Sequence, residues 1–154
     1  MPAKRRLKYL RKMKVDDLSD VMRIERLAYP YPWSQQNFLD CLKHPQYSSW
    51  IFEQNNSVSG YIVLSIAVGE AHLLNICVHP ELQGNGWGRK LLQEAEWIAK
   101  QHQAENCFLE VRVSNQTGLN LYSSAGYNEI ACRKAYYPAD QGREDAIIMA
   151  KALF

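Results

Sequence analysis

Ala71-His72-Leu73-Leu74-Asn75-Ile76-Cys77-Val78, followed shortly by Gln83-Gly84-Asn85-Gly86-Trp87-Gly88, is the stretch on which the fold turns. The first part is an apolar run of strand length. The second opens a helical pattern in which Leu91, Leu92, Ala95, Ile98 and Ala99 recur on one side. A glycine-rich turn between a strand and a helix start can hold a phosphate group. The first helical turn has free backbone N–H groups and the positive end of the helix dipole. Glycines let that backbone approach a ligand closely, and they allow φ > 0 so that successive N–H groups converge. The turn fits neither G-x-G-x-x-G nor G-x-x-x-x-G-K-[S/T]. By itself it reads equally well as an ordinary strand-to-helix loop.

Outward from this turn, the chain alternates short strands and helices. Residues 8–15 alternate as a first strand. Asp16 or Asp17 can cap a helix to about Ala28, with Leu18, Val21, Met22, Ile24 and Leu27 on one face. Tyr29-Pro30-Tyr31-Pro32-Trp33 breaks it, because two prolines forbid continuation. Ser34 caps a short second helix through Phe38 and Cys41. Residues 48–53, 59–67 and 71–78 read as strands, with turns at Asn55-Asn56 and Gly69-Glu70. After the glycine turn and its helix come a strand at 106–113, a short helix capped by Asn115 and ended by Gly126, and strands at 127–136 and 145–151. The order β-α-α-β-β-β-α-β-α-β-β implies an α/β fold with a mixed sheet flanked by helices.

The length, 154 residues, suits one domain spanning 1–154. No apolar run is long enough to cross a bilayer, and the start lacks a signal-peptide core, so no membrane partner is expected. Cys41, Cys77, Cys107 and Cys132 form no C-x-x-C pair. They read as free thiols in a reducing, cytoplasmic setting. The first fourteen residues hold Lys4, Arg5, Arg6, Lys8, Arg11, Lys12 and Lys14 with no acid, while the remainder is net acidic. This basic arm reads as a solvated edge whose lysines resist aggregation, or as a contact to nucleic acid or the ribosome.

Few side chains offer chemistry. In Cys107-Phe108-Leu109-Glu110-Val111-Arg112-Val113, strand alternation puts Cys107, Leu109, Val111 and Val113 on one face and Phe108, Glu110 and Arg112 on the other. A carboxylate in mid-strand is costly unless paired or set in a wet cleft. Glu110 is therefore either the partner of Arg112 or a general base. Tyr122, on the helix after Asn115, is either a half-buried aromatic or a proton donor. His44, His72, His79 and His102 show no metal-ligand spacing, and there is no G-x-S-x-G elbow, so no metal is expected. Trp33, Tyr136 and Tyr137 read as packed loop anchors or as part of a binding surface.

Taken together, these pieces resemble the GNAT superfamily of N-acetyltransferases. The strand with Gln83, Gly86 and Gly88 is similar to that family's motif A. Asn115-x-x-Gly118-Leu119-x-Leu121-Tyr122-x-x-x-Gly126-Tyr127 is similar to its motif B. The likeness covers nearly the whole chain. Pro32-Trp33-Ser34, Asn75-Ile76-x-Val78, Leu109-Glu110-Val111-Arg112-x-Ser114-Asn115, and Tyr136-Tyr137-Pro138 through Gly142-Arg143-Glu144-Asp145-Ala146 narrow it to the bacterial RimI-type enzymes. Those enzymes acetylate the N-terminal alanine of small-subunit ribosomal protein eighteen.

The resemblance implies a mostly antiparallel sheet of six or seven strands with about four helices, two of whose strands splay to form a CoA cleft. It implies acetyl-CoA as donor, with Ile76, Cys77 and Val78 offering backbone groups to the pantetheine arm. Gln83, Gly84, Asn85, Gly86, Trp87, Gly88 and Arg89 would cradle the pyrophosphate, and Asn115 would contact the pantetheine–acetyl region. Glu110 would be the base and Tyr122 the acid. Trp33, Tyr136 and Tyr137 would choose the acceptor, the N-terminal segment of a ribosomal protein. A lysine or small-amine acceptor, or a non-catalytic CoA- or RNA-binding module, are the alternatives. Two departures from the family pattern stand out. Gly118 replaces the usual alanine, which should loosen its helix by about 1 kcal/mol. Trp87 replaces a smaller apolar residue, which should alter packing beside the cofactor.

Overall fold

The computed structural model describes residues 9–154. The chain runs β1 (Leu10–Lys12), α1 (Leu18–Ala28), α2 (Gln35–Lys43), β2 (Tyr47–Gln54), β3 (Ser57–Ala67), β4 (Glu70–Val78), α3 (Trp87–Gln101), β5 (Asn106–Arg112), α4 (Gln116–Ser124), β6 (Asn128–Pro138) and β7 (Arg143–Ala152). The strands join one mixed sheet in the order β1-β2-β3-β4-β5-β7-β6. Among the described residues only β4 and β5 run parallel, because α3 carries the chain across between them.

Strand alternation divides the interior in two. Phe52, Ile62, Leu64, Leu73, Leu109 and Val111 meet the apolar stripe of α3 on one face. Ile51, Tyr61, Val63 and Cys77 meet Leu18, Val21, Met22 and Ile24 of α1 and Phe38 of α2 on the other. The two early hairpins turn at Asn55-Asn56 (φ 50° and 61°) and Val68-Gly69 (φ 50° and 76°). Such left-handed pairs match the twist of antiparallel strands. Gly60 serves a different need: a Cβ there would lie 2.5 Å from the Cys77 carbonyl oxygen, so glycine lets β3 pass close to β4.

Several expectations shift. β1 spans three residues, and Lys4, Arg5, Arg6 and Lys8 of the basic arm lie outside the described residues. Its described charges have local work. Arg11 pairs with Asp17 and Glu53, both at 2.8 Å, and the Lys12 ammonium lies 5.2 Å from the Trp50 ring centroid. Asp17 does not cap α1 through its side chain. It folds back to accept the Lys14 N–H at 2.8 Å and the Arg11 guanidinium, and it closes a short 3-10 turn ahead of the helix. Leu27 is 62 % exposed, and Glu25 takes the buried place on α1 instead. Val113 lies beyond the end of β5 and is exposed. β7 begins at Arg143, which shortens the last loop.

Candidate active site

β4 and β5 pair only from Glu70↔Asn106 to Leu73↔Leu109. Beyond that point a bulge interrupts β4, since Val63 faces Asn75 while Leu64 faces Leu73, leaving Leu74 unmatched. β4 stays with β3 through Val78, and β5 stays with β7 through Arg112. The strands part, and a wedge opens between Asn75–Val78 and Glu110–Arg112. A buried backbone edge without a neighbour strand must find other partners. The Ile76 carbonyl accepts the Tyr29 hydroxyl at 2.5 Å, and the Val78 carbonyl accepts the Gln83 amide at 3.1 Å. Both carbonyls therefore point away from β3. In a strand the N–H of each such residue points the same way, into the wedge. Cys77 between them faces β3, and its thiol is buried beside Tyr61 and Tyr29, with burial pushing it up to about 12.

The wedge leads into two cavities. One, of about 490 Å3, lies along Ile76, Val78, the glycine turn and the start of α4. The other, of about 650 Å3, lies between the segment after α1 and the β6–β7 loop. Tyr29, Ile76, Asn115 and Tyr122 line both and form the wall between them.

The glycine turn borders the first cavity. Gly84 and Gly86 have φ of 82° and 81°, and nothing lies within 4 Å of a Cβ at either, so conformation and not crowding demands glycine. Gly86 caps α3, whose first intrahelical bond from the turn is Lys90 N–H to the Gly86 carbonyl, 3.2 Å. The N–H groups of Trp87, Gly88 and Arg89 precede that bond and are left for a ligand or solvent. Gly88 and Arg89 line the cavity, and the Arg89 guanidinium bonds the Ser124 hydroxyl on α4.

Other side chains of the turn do structural work. Gln83 braces Val78, and Asn85 donates to the Leu82 carbonyl at 3.3 Å. Trp87 packs away from the cavity, 4.9 Å from the Phe52 ring with the Lys90 ammonium 4.4 Å from its own centroid. The extra bulk at Trp87 thus goes into packing with β2. Gly118 has a reason too. Asn115 caps α4 by accepting the Gly118 N–H at 2.9 Å, and a Cβ on Gly118 would lie 2.7 Å from the Asn115 amide nitrogen. The cost to the helix leaves room for its cap.

The second cavity gathers polar groups from distant segments. Glu110 lines it, with Arg133 Nη2 3.8 Å from its Oε1. The local pair with Arg112 does not form. The Arg112 guanidinium instead bonds Glu144 at 2.9 Å and the Pro138 carbonyl at 2.6 Å, between the rings of Tyr31 (4.6 Å) and Tyr137 (4.4 Å). Tyr31 in turn donates to Asp140 at 2.6 Å, so the segment after α1 and the β6–β7 loop are tied across the cavity. Trp33 and Tyr137 line it, whereas Tyr136 is not part of its lining and packs its ring 4.9 Å from Tyr137. Burial pushes Tyr137 up to about 12. The negative charge of Glu110 raises Tyr136. Tyr122 is 9 % exposed, and burial raises it well above an ordinary phenol, so its hydroxyl stays protonated.

Glu25 and Tyr29 escaped the reading of motifs. Glu25 is 1 % exposed. It accepts from the Tyr61 hydroxyl at 2.7 Å, the Asn75 amide at 3.0 Å and the Trp33 N–H at 2.9 Å. A carboxyl group this deep is tolerated because each of its oxygens meets fixed donors. A signal was available: Glu25 follows Val21 by four residues and Met22 by three, so it sits on the apolar stripe of α1.

Residues 18–127, more than half of the chain, match the model of the Acetyltransferase (GNAT) family. The [ribosomal protein bS18]-alanine N-acetyltransferase of Escherichia coli strain K12 is 36 % identical over 138 residues, covering 90 % of this chain and 93 % of that protein. The crystal structure of the ribosomal-protein-S18-alanine N-acetyltransferase from Escherichia coli aligns with a TM-score of 0.87 at 35 % identity, over 94 % of this chain and 92 % of that one. PaiA N-acetyltransferase from Thermoplasma acidophilum, in complex with coenzyme A, shares the fold at 23 % identity with a TM-score of 0.75, over 93 % and 97 % of the two chains. The chain belongs to the GNAT acetyltransferase family and is an N-acetyltransferase.

Proposed function

We propose that this N-acetyltransferase moves an acetyl group from acetyl-CoA to the α-amine of an N-terminal alanine, that of small-subunit ribosomal protein eighteen. The observation that carries the reading is the wall of Tyr29, Ile76, Asn115 and Tyr122 shared by two cavities. One cavity has open backbone N–H groups and a helix start, which suit a pantetheine and a pyrophosphate. The other has Glu110 and a rim of tyrosines, which suit an amine on a peptide. The kinship with the bacterial alanine acetyltransferases favours this acceptor over others.

The donor would be held by the N–H groups of Ile76 and Val78 and by those of residues 84–89, and it supplies an activated acetyl thioester. An α-amine has a pKa of roughly 7.7–8.0 against about 10.4 for lysine, so freeing its lone pair near neutrality is easier by roughly 3 kcal/mol. Glu110 accepts that proton, directly or through water. The amine then forms the new C–N bond as the C–S bond breaks, and the second proton its nitrogen sheds passes through water to solvent or to the departing CoA thiolate. The N–H of Val78 polarises the acetyl oxygen. Tyr122, held neutral by burial, donates a hydrogen bond to the departing sulfur. An ordinary thiol titrates near 8.5, so complete transfer from a phenol raised by burial is uphill, and hydrogen bonding is the role its environment favours. Trp33, Tyr136 and Tyr137 orient the acceptor backbone.

The four cysteines are free thiols, in keeping with a reducing cytoplasmic setting. No helix among the described residues is long and apolar enough to cross a membrane. Mass spectrometry of peptides incubated with enzyme and acetyl-CoA tests the reading. A peptide beginning with the ribosomal protein's alanine should gain one acetyl group at its terminus. The same peptide with a blocked terminus and an internal lysine should gain none. Preference for the lysine would overturn the acceptor assignment.

A further inference from the structure

The β6–β7 ladder contains an irregularity that the reaction as described leaves unused. Pairing runs regularly through Cys132↔Ile147 and Arg133↔Ala146, then jumps to Tyr137↔Glu144. Lys134, Ala135 and Tyr136 thus stand opposite Asp145 alone, two residues more than a regular ladder allows. Ala135 sits in the left-handed region with φ 51°, where a side chain costs energy. Both of its backbone groups are held by side chains of β7 in place of ladder bonds. The Asp145 carboxylate accepts the Ala135 N–H at 2.8 Å, and Arg143 Nε donates to the Ala135 carbonyl at 2.8 Å. Arg143 Nη2 also donates to the Tyr136 carbonyl at 2.6 Å. The Ala135 N–H and Lys134 hold the Asp145 carboxyl below the usual range, so it is ionised whenever this geometry stands.

The kink has a consequence for the site. Consecutive residues of a regular strand point to opposite faces. Tyr136 and Tyr137 do not. Tyr137 stacks on Arg112, and Tyr136 lies against Glu110 with Arg133 over its ring at 5.2 Å. Glu110 and Arg112 share one face of β5, so both tyrosines have been brought to the same side of the sheet.

We infer that Asp145 and Arg143 are positioning residues for acceptor recognition: by clamping Ala135 in its left-handed kink, they turn two consecutive tyrosines toward the amine. This rests on the assignment of the tyrosine-rimmed cavity to the acceptor. The clamp is remote from the glycine turn, so its loss acts on one substrate alone.

Steady-state kinetics with both substrates varied, on the full chain, test this. Asp145→Ala should raise KM for the alanine-starting peptide at least tenfold while KM for acetyl-CoA stays within twofold. Asp145→Asn, whose amide oxygen can still accept the Ala135 N–H, should recover most of that loss. Lys134→Met removes only the ion pair and should match the parent enzyme. Ala135→Val, a β-branched residue at positive φ, should reproduce the Asp145→Ala phenotype, whereas Ala135→Gly should not. An Asp145→Ala enzyme with unchanged peptide KM, or with both KM values raised alike, would overturn the inference. If the parent enzyme prefers another amine, the alanine reading fails and the same split is read with that amine. A readout independent of any acceptor is the nuclear Overhauser contact between the Tyr136 and Tyr137 rings. It should be present in the parent and lost in Asp145→Ala, and its persistence in the variant would equally overturn the inference.

Discussion

The two halves of the cleft are built from different materials. The half along β4 and the glycine turn is made of backbone: carbonyls and N–H groups freed by the splay, and a helix start shaped by two glycines at positive φ. The half beyond the Tyr122 wall is made of side chains. Glu25 joins α1 to β3 and β4, Tyr31 joins the following segment to Asp140, and Arg112 joins β5 to Glu144. A backbone site accepts any ligand with the matching chain of acceptors, and it is tuned by conformation. A side-chain site depends on contacts between residues far apart in sequence, and it is tuned by substitution. The proposed use of a common donor with a selective acceptor calls for this division.

Substitutions can break or sharpen the contrast. The largest effect should come from Glu110→Gln, which keeps the shape and removes the proposed base. Turnover should fall by about 10² or more, with the deficit largest at low pH, while the dissociation constant for acetyl-CoA is unchanged. Turnover equal to the parent across pH would end the base assignment. Next comes Glu25→Ala, which strands the Tyr61 hydroxyl, the Asn75 amide and the Trp33 N–H. We expect a loss of roughly 3 kcal/mol, read as a melting temperature lower by about 10 °C, together with a raised peptide KM. A drop in stability with no change in peptide KM would sever Glu25 from the acceptor half.

Gly86→Ala probes the other half. A Cβ in the left-handed region costs about 1 kcal/mol, and the loop should relax away from it. KM for acetyl-CoA should rise about fivefold, with peptide KM unaffected. An equal rise in both would mean that the halves are not separable. The smallest effect lies outside both halves. The Arg11 guanidinium holds the Asp17 carboxyl below its ordinary value. The pair therefore stabilises above the unfolded carboxylate's pKa of about 3.9, and that contribution fades as pH falls through the lower folded value. Arg11→Met should lower stability near neutrality by at most about 1 kcal/mol, and the difference from the parent should vanish in acid.

The same contrast explains what the chain discloses before it folds. The half along the glycine turn follows from contiguous sequence, since strand, glycines, helix stripe and the Asn115 cap are local patterns. The splay was expected from family likeness, but its cause, a bulge leaving Leu74 unmatched, is a matter of register between strands. Leu27 and Glu25 show the limit of periodicity. Both lie near the apolar stripe of α1, and the hydrophobic residue was the natural choice for the interior. The buried position went to the carboxylate because Tyr61, Asn75 and the Trp33 N–H converge there from other segments. Arg112 pairs with Glu144 and not with Glu110, its neighbour by alternation, because β7 lies beside β5 and brings Glu144 within reach. No local pattern carries such meetings.

The parted strands have one further consequence. Where β4 leaves β5, the sheet is one partner short along Asn75–Val78, and a ligand that bonds the N–H groups of Ile76 and Val78 stands in for the missing strand. Binding and folding then draw on the same hydrogen bonds. Donor at a hundred times its dissociation constant should add about 2.7 kcal/mol to the stability of the whole chain. The amide protons of Ile76 and Val78, exchanging freely without it, should become among the slowest in the sheet.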